Sequence, residues 1–224
     1  MLISIYGDSI STFEGMNPPG YRVFYDLNKC IYNCLSGPED TWWGRVLAEF
    51  GWELLINAAF SGGRVTGREF PSACSPERLS ALHNERYPDL IMVYLGFNDY
   101  GYGLPLRSGK PEPDTDFFYD AYRFMLRELK SRYPGSKIVC GTLMQPFIAM
   151  RPDVSEAIRT NRYGVPLTMF NQVIREAVRE EGALLCDLEA TGLMCDTLDS
   201  SHGSFKGHMS MAEGWISCLK QLGL

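Results

Sequence analysis

The sequence predicts an α/β fold, a three-layer α/β/α sandwich built around a mostly parallel five-stranded sheet. Five short runs of continuous rather than alternating apolar residues have the pattern of strands buried on both faces. Helical stripes separate these runs, and strand alternating with helix is the signature of right-handed βαβ units. The length is the third observation: 224 residues, 45% hydrophobic and 21% charged, suffice for one well-cored domain over 1–224 and are short for two.

In chain order the strand candidates are LISIY at 2–6, ELLINAAF at 53–60, DLIMVYLG at 89–96, KIVCGTL at 137–143 and ALLCDL at 183–188. Between the first two, DTWWGRVLAEFG at 40–51 reads as a helix. SPERLSALHNERYP at 75–88 reads as the next, with Ser75 as N-cap and Pro76 at the first helical position. Phe118, Ala121, Tyr122, Met125 and Leu129 form an apolar stripe at helical spacing. Phe170, Val173, Ile174, Ala177 and Val178 form another, stopped by Gly182. GHMSMAEGWISCLKQL at 207–222 gives the last helix. No internal repeat or linker interrupts the series.

A formal net charge of −6 gives no electrostatic reason for a polyanionic partner, so nucleic acid is not expected. No apolar run reaches the roughly 18 residues of a membrane span. The first strand begins at Leu2 with no basic stretch or cleavage site before it, so a cytoplasmic location is expected unless an export signal has been removed. Cys30 and Cys34 form the one close pair among seven cysteines; a metal would need two further ligands nearby, whereas Cys140 and Cys186 lie at apolar positions like reduced, buried thiols. With three histidines and no H-E-x-x-H or paired-cysteine motif, neither a metal nor another cofactor is expected.

Ligands of such sheets bind beyond the carboxyl ends of the strands. There the chain carries Gly7, Asp8 and Ser9 after the first run, Ser61 and Gly62 after the second, and Gly96, Phe97, Asn98 and Asp99 after the third. Near the C-terminus Asp199 precedes His202 by three residues, close enough for a carboxylate to hold one imidazole nitrogen while the other points elsewhere. Taken together and in this order, GDSIS, SGGRVT, GFND and DSSH resemble the four blocks of the SGNH hydrolases, the GDSL-type esterase and lipase family, over most of the chain.

The resemblance implies a flavodoxin-like hydrolase fold and a serine esterase of small acyl esters, acetylated carbohydrates among them, acting through an acyl-serine intermediate. It implies Ser9 as nucleophile, His202 as base and then acid, and Asp199 as the residue orienting the ring. The Ser9 and Gly62 N–H groups and the Asn98 side chain would form the oxyanion hole. The chemistry separately calls for these types. A serine hydroxyl needs a base to take its proton as it attacks, and a neutral imidazole does this at neutral pH. The oxyanion needs preplaced donors, each worth on the order of 3 kcal/mol when deleted from known hydrolases. An acyltransferase on the same site, or a non-catalytic ligand-binding module, are the alternatives.

Three local choices follow. Ser11 is expected to cap a turn, leaving Ser9 as nucleophile. His208 lacks an acid three residues before it, that position being Phe205, and falls just inside the last helix; His83 lies in a charged stretch and is expected at the surface. Gly203 stands where the family usually has proline, which loosens the backbone beside His202. Asp8, Arg64 and Phe97 are the candidates for substrate contact, with Asp8 expected chiefly to steady its loop and Asp99 to act structurally. Long segments at 12–39, 100–114 and 144–166 leave strand ends and are expected to wall the pocket. Whether Arg151, Arg159, Arg162, Arg64 and Thr66 reach it or are ordinary surface residues is not separable by spacing.

Overall fold

The computed structural model describes residues 1–26, 35–149, 160–197 and 199–224. Cys30, Cys34, Arg151 and Arg159 lie outside the described residues.

Five parallel strands form the sheet: β1 Leu2–Gly7, β2 Glu53–Asn57, β3 Leu90–Tyr94, β4 Lys137–Gly141 and, later in the chain, β6 Leu184–Cys186. Their spatial order is β2-β1-β3-β4-β6, and every pairing is parallel. A second, two-stranded parallel sheet joins β5 (Pro146–Phe147) to β7 (Cys195–Asp196). All residues of β3 are buried, on both sides of the pleat, as a central strand covered by two helical layers requires.

The helices are α1 Trp42–Phe50, α2 Pro76–Leu79, α3 Phe97–Tyr102, α4 Phe118–Arg132, α5 Leu167–Glu181 and α6 Phe205–Gln221. The chain steps from β1 to β2 in one direction and from β2 through β3 and β4 to β6 in the other. Right-handed crossovers therefore put α1 on one face and α2, α4 and α5 on the opposite face. Contacts agree: α1 packs on α6, and α4 packs on both α5 and α2. Trp42 of α1 stacks on Trp215 of α6 with ring centroids 5.2 Å apart, and Phe118 of α4 meets Phe170 of α5 at 5.0 Å. The result is the three-layer α/β/α sandwich.

Differences from the sequence reading have local causes. The helix expected over 75–88 stops at Leu79, although Ser75 caps it by accepting from the Arg78 N–H. The Tyr133 hydroxyl donates to the Leu79 carbonyl and accepts from the Leu82 N–H, and the Asn84 side chain accepts from the Arg86 N–H, so backbone groups are drawn away from the helical ladder. The last helix starts at Phe205 rather than 207, with Ser204 as N-cap. Gly207 lies within its first turn, where a Cβ would sit 2.2 Å from the Asp196 carbonyl oxygen of β7, so the position has room for glycine alone. Asn98 and Asp99, placed after the third strand, lie in the first turn of α3. His83 is only half-buried and stacks on Tyr87, with a ring nitrogen 3.3 Å from the Tyr133 hydroxyl, so it is not simply solvated. The described cysteines, Cys74, Cys140, Cys186, Cys195 and Cys218, are buried free thiols.

Candidate active site

β1 ends at Gly7, and the chain turns at once into a single 3-10 turn, Ser9–Ser11. Asp8 caps that turn: one carboxylate oxygen accepts from the Ile10 N–H at 3.0 Å and the Asp8 carbonyl accepts from the Ser11 N–H at 3.1 Å. Ser9 is held in place by its own carbonyl, which accepts from the Thr12 N–H and hydroxyl. Ser11 does not cap the turn as expected. It is fully buried, its hydroxyl accepts from the Trp42 indole N–H, and its carbonyl accepts from the Trp43 indole and the Asn57 amide. A buried serine committed to three packing contacts is a structural residue, which separates it from Ser9.

From the other end of the chain a tight turn brings up His202. Its Nε2 lies 2.8 Å from the Ser9 Oγ, and its Nδ1 lies 2.7 Å from an Asp199 carboxylate oxygen. With Nδ1–H donated to the carboxylate, Nε2 is the acceptor facing the serine hydroxyl. The second Asp199 oxygen accepts from the Ser201 N–H, the Ser201 hydroxyl and the His202 N–H, a knot that fixes the turn. Ser200 within it is the only non-glycine of positive φ (71°) among the described residues, a strain on the order of 1 kcal/mol held by those bonds. Burial alone would raise the Asp199 pKa. The hydrogen bond to the His202 side chain, the charge attraction and the backbone N–H bond outweigh it and hold the carboxyl well below its ordinary range.

Two supports of the histidine lie in the segment 12–39. Phe24 stacks on the imidazole, with planes 5° apart. The Tyr25 hydroxyl donates to the Gly203 carbonyl at 3.1 Å, so the glycine expected to loosen the backbone beside His202 is tied down from outside. His208, the rival histidine, is fully buried in α6, where its Nδ1 accepts from the Trp42 N–H. Burial, helped by the nearby Arg45 and His202 charges, pushes its pKa down to about 3, so it stays neutral.

The glycine block follows β2. Gly62 has φ +84°, a conformation open to glycine at no steric cost, and nothing lies within 4 Å of where its Cβ would be. Its neighbours' N–H groups are engaged, Ser61 with the Arg22 carbonyl and Gly63 with the Phe60 carbonyl. The Gly62 and Ser9 N–H groups themselves make no hydrogen bond among the described residues. The Asn98 side chain donates one amide hydrogen to the Gly63 carbonyl at 2.9 Å and has a second to give. Asp99, fully buried, accepts from the Val65 and Thr66 N–H groups and so fastens the glycine loop to α3.

Of the substrate-contact candidates, Arg64 is exposed and lines a cleft of about 730 Å³ with Gly62, Thr66, Phe70 and Tyr102. Phe97 lines a second cleft of about 360 Å³ with Asn98, Tyr102, Arg162 and Asp199. Tyr102 borders both. Asp8 lines neither; at 1% exposure, with its second carboxylate oxygen unpartnered, it belongs to the turn's interior. Burial pushes its carboxyl up to about 7, against the lowering effects of the Ile10 N–H and Arg78. Ser201, Phe24 and Arg78 escaped the sequence reading. The second serine of DSSH and the aromatic-rich segment after β1 were the available signals for the first two, and none marked Arg78.

Among the described residues no three His, Cys, Asp or Glu side chains are grouped to hold a metal, and no helix is long and apolar enough to cross a membrane. The family model of the GDSL-like Lipase/Acylhydrolase matches residues 1–179. A search of curated proteins found no match. Among solved structures, one described as a GDSL-like lipase from Bacteroides ovatus superposes with a TM-score of 0.74 at 24% identity, covering 98% of each chain. Another so described, from Bacteroides uniformis, gives 0.69 at 24% identity over 98% of this chain and 95% of that one. A carbohydrate esterase family 2 enzyme with a carbohydrate binding domain, from Corynascus thermopiles (Myceliophthora fergusii), gives 0.59 at 18% identity over 100% of this chain and 67% of that one.

Proposed function

The chain belongs to the GDSL-like lipase/acylhydrolase family and is a carboxylic ester hydrolase, and on that premise we propose that residues 1–224 form one domain that cleaves small acyl esters through an acyl-Ser9 intermediate. The observation that carries this reading is the unbroken hydrogen-bond chain from the Ser9 hydroxyl through His202 to Asp199. The Ser9 Oγ attacks the ester carbonyl as Nε2 of His202 takes its proton. The carbonyl π electrons move to oxygen, and the oxyanion is met by the Ser9 and Gly62 N–H groups and the free amide hydrogen of Asn98. Collapse expels the alcohol, which receives the proton from Nε2. Water, deprotonated by the same nitrogen, then attacks the acyl carbonyl, and collapse breaks the bond to Oγ, which takes the proton back from Nε2 as the acid is released. Asp199 keeps Nδ1 protonated and offsets the imidazolium charge in each half-reaction.

Acetylated carbohydrates are the substrate class we favour. Arg64, Glu69 and Tyr102 give the cleft beside Gly62 hydroxyl-binding groups and an exposed aromatic ring, and the similarity in fold to a carbohydrate esterase points the same way. The test is a panel of acyl esters and acetylated sugars, with mass spectrometry of the trapped acyl-enzyme. A fluorophosphonate probe is expected to label the wild type and Ser11→Ala, and to leave Ser9→Ala unlabelled. Undiminished labelling of Ser9→Ala refutes the reading.

A further inference from the structure

Arg78 is a long cation with no surface at all: it is 0% exposed, and no carboxylate pairs with it among the described residues. An unpaired buried charge is costly, so a chain that keeps one gains something from its hydrogen bonds. The guanidinium donates through Nη2 to the Gly7 carbonyl at 2.8 Å and the Ala58 carbonyl at 2.9 Å, and through Nη1 to the Pro71 carbonyl at 3.1 Å. Its Cζ lies 4.8 Å from the centre of the Tyr6 ring, which closes the cage on another side.

Those three carbonyls are not a random set. Gly7 ends β1 two residues before Ser9, Ala58 directly follows β2, and Ala58 and Pro71 bracket the loop that carries Gly62. Within that loop Gly63 presses against the same group, since a Cβ there would meet Nη1 at 2.6 Å. One planar fork therefore spans the nucleophile turn and both ends of the glycine loop, a span that the single ammonium of a lysine cannot reproduce. Resting on the reading of Ser9 and Gly62 given above, we propose that Arg78 is a positioning residue, which sets the spacing between the Ser9 hydroxyl and the oxyanion donors. Misplacing such donors by about 1 Å costs roughly 100-fold in rate while leaving ground-state binding nearly intact.

The experiment is steady-state kinetics of Arg78→Lys on p-nitrophenyl acetate, normalised to active sites that titrate with the fluorophosphonate, with folding checked by circular dichroism and melting. The expected result is a folded enzyme whose kcat falls roughly 10- to 100-fold while KM moves less than threefold. A folded Arg78→Lys with kcat within threefold of wild type, or a change confined to KM, overturns the proposal, because a merely structural arginine would lower the melting temperature and leave turnover per folded site alone. If Arg78→Lys does not fold, Gly63→Ala, which pushes a methyl group against Nη1, is judged by the same two criteria. Failure of the underlying reading looks different: Ser9→Ala would then keep its activity whatever happens at Arg78.

Discussion

Asp199→Asn tests the site where its geometry is least forgiving. One carboxylate oxygen faces Nδ1 of His202 at 2.7 Å, and the other collects three donors, from Ser201 and His202. An amide has only one acceptor oxygen. Facing it toward Nδ1 points the NH₂ group at three donors and loosens the turn; the other orientation offers Nδ1 a donor, which favours the tautomer whose Nε2 cannot accept the Ser9 proton. Either way roughly 1 kcal/mol of hydrogen bonding is lost. The missing charge adds to this. Two charges about 4 Å apart attract by about 1 kcal/mol in water and about 4 kcal/mol at an effective dielectric of about 20. The Asp199 side chain is 46% exposed, so solvent screening favours a value near 2 kcal/mol. The sum, about 3 kcal/mol, corresponds to a loss in kcat/KM on the order of 100-fold. Hydrolysis of p-nitrophenyl acetate at fixed pH, beside a melting curve, measures it. An Asp199→Asn enzyme that melts like wild type and turns over within threefold of it would refute the role given to this carboxylate.

His208→Ala is expected to lose about 3 kcal/mol of stability, or roughly 6–12 °C in Tm, through a cavity and an orphaned Trp42 N–H, yet to keep most of its turnover below the melting temperature; a folded variant as inactive as His202→Ala would reverse the choice between the two histidines. The His208 pKa is depressed to about 3, so between about pH 6.5 and 3 the unfolded chain binds a proton that the native state refuses, and wild-type stability falls with pH across that window. His208→Ala lacks this loss, and melting scans should show the gap between the two proteins narrowing in acid. For Asp8 the sign is opposite: the native carboxyl, raised to about 7, keeps a proton that the unfolded chain has released above about pH 4, so ionisation costs stability as pH rises from about 4 to 7. Asp8→Asn keeps an acceptor for the Ile10 N–H without that cost, and its Tm advantage should grow over this range and level off above it; a constant difference in Tm across the range contradicts the buried-acid picture.

The strands and long helices were readable because their signal is local: β3 is apolar at every position since both its faces are covered, and α4 and α5 carry a 3.6-residue stripe. The blocks at the strand ends were readable as types and order. What could not be read depends on tertiary partners. The early end of α2 is imposed by Tyr133, more than 50 residues away in the chain. The β5–β7 pair is two residues long on each side and has no periodicity to detect. Arg78 looks like any surface arginine on a polar helix until three carbonyls from other segments converge on it. Ser11 reads as a turn cap from sequence alone, and only the indoles of Trp42 and Trp43 make it an interior residue.

The hydrogen bond between Ser9 and His202 spans 193 positions of the chain. The turn that carries Ser9 follows β1, whereas His202 comes just before α6, whose Trp215 stacks on Trp42. On the proposed mechanism Ser9 has no base until His202 is in place. Contacts of such long separation form late and slowly, because loop closure must precede the interactions that repay it. With Ser9 and His202 acting as proposed, turnover recovered after dilution from denaturant is expected to report this long-range closure rather than the formation of the sheet.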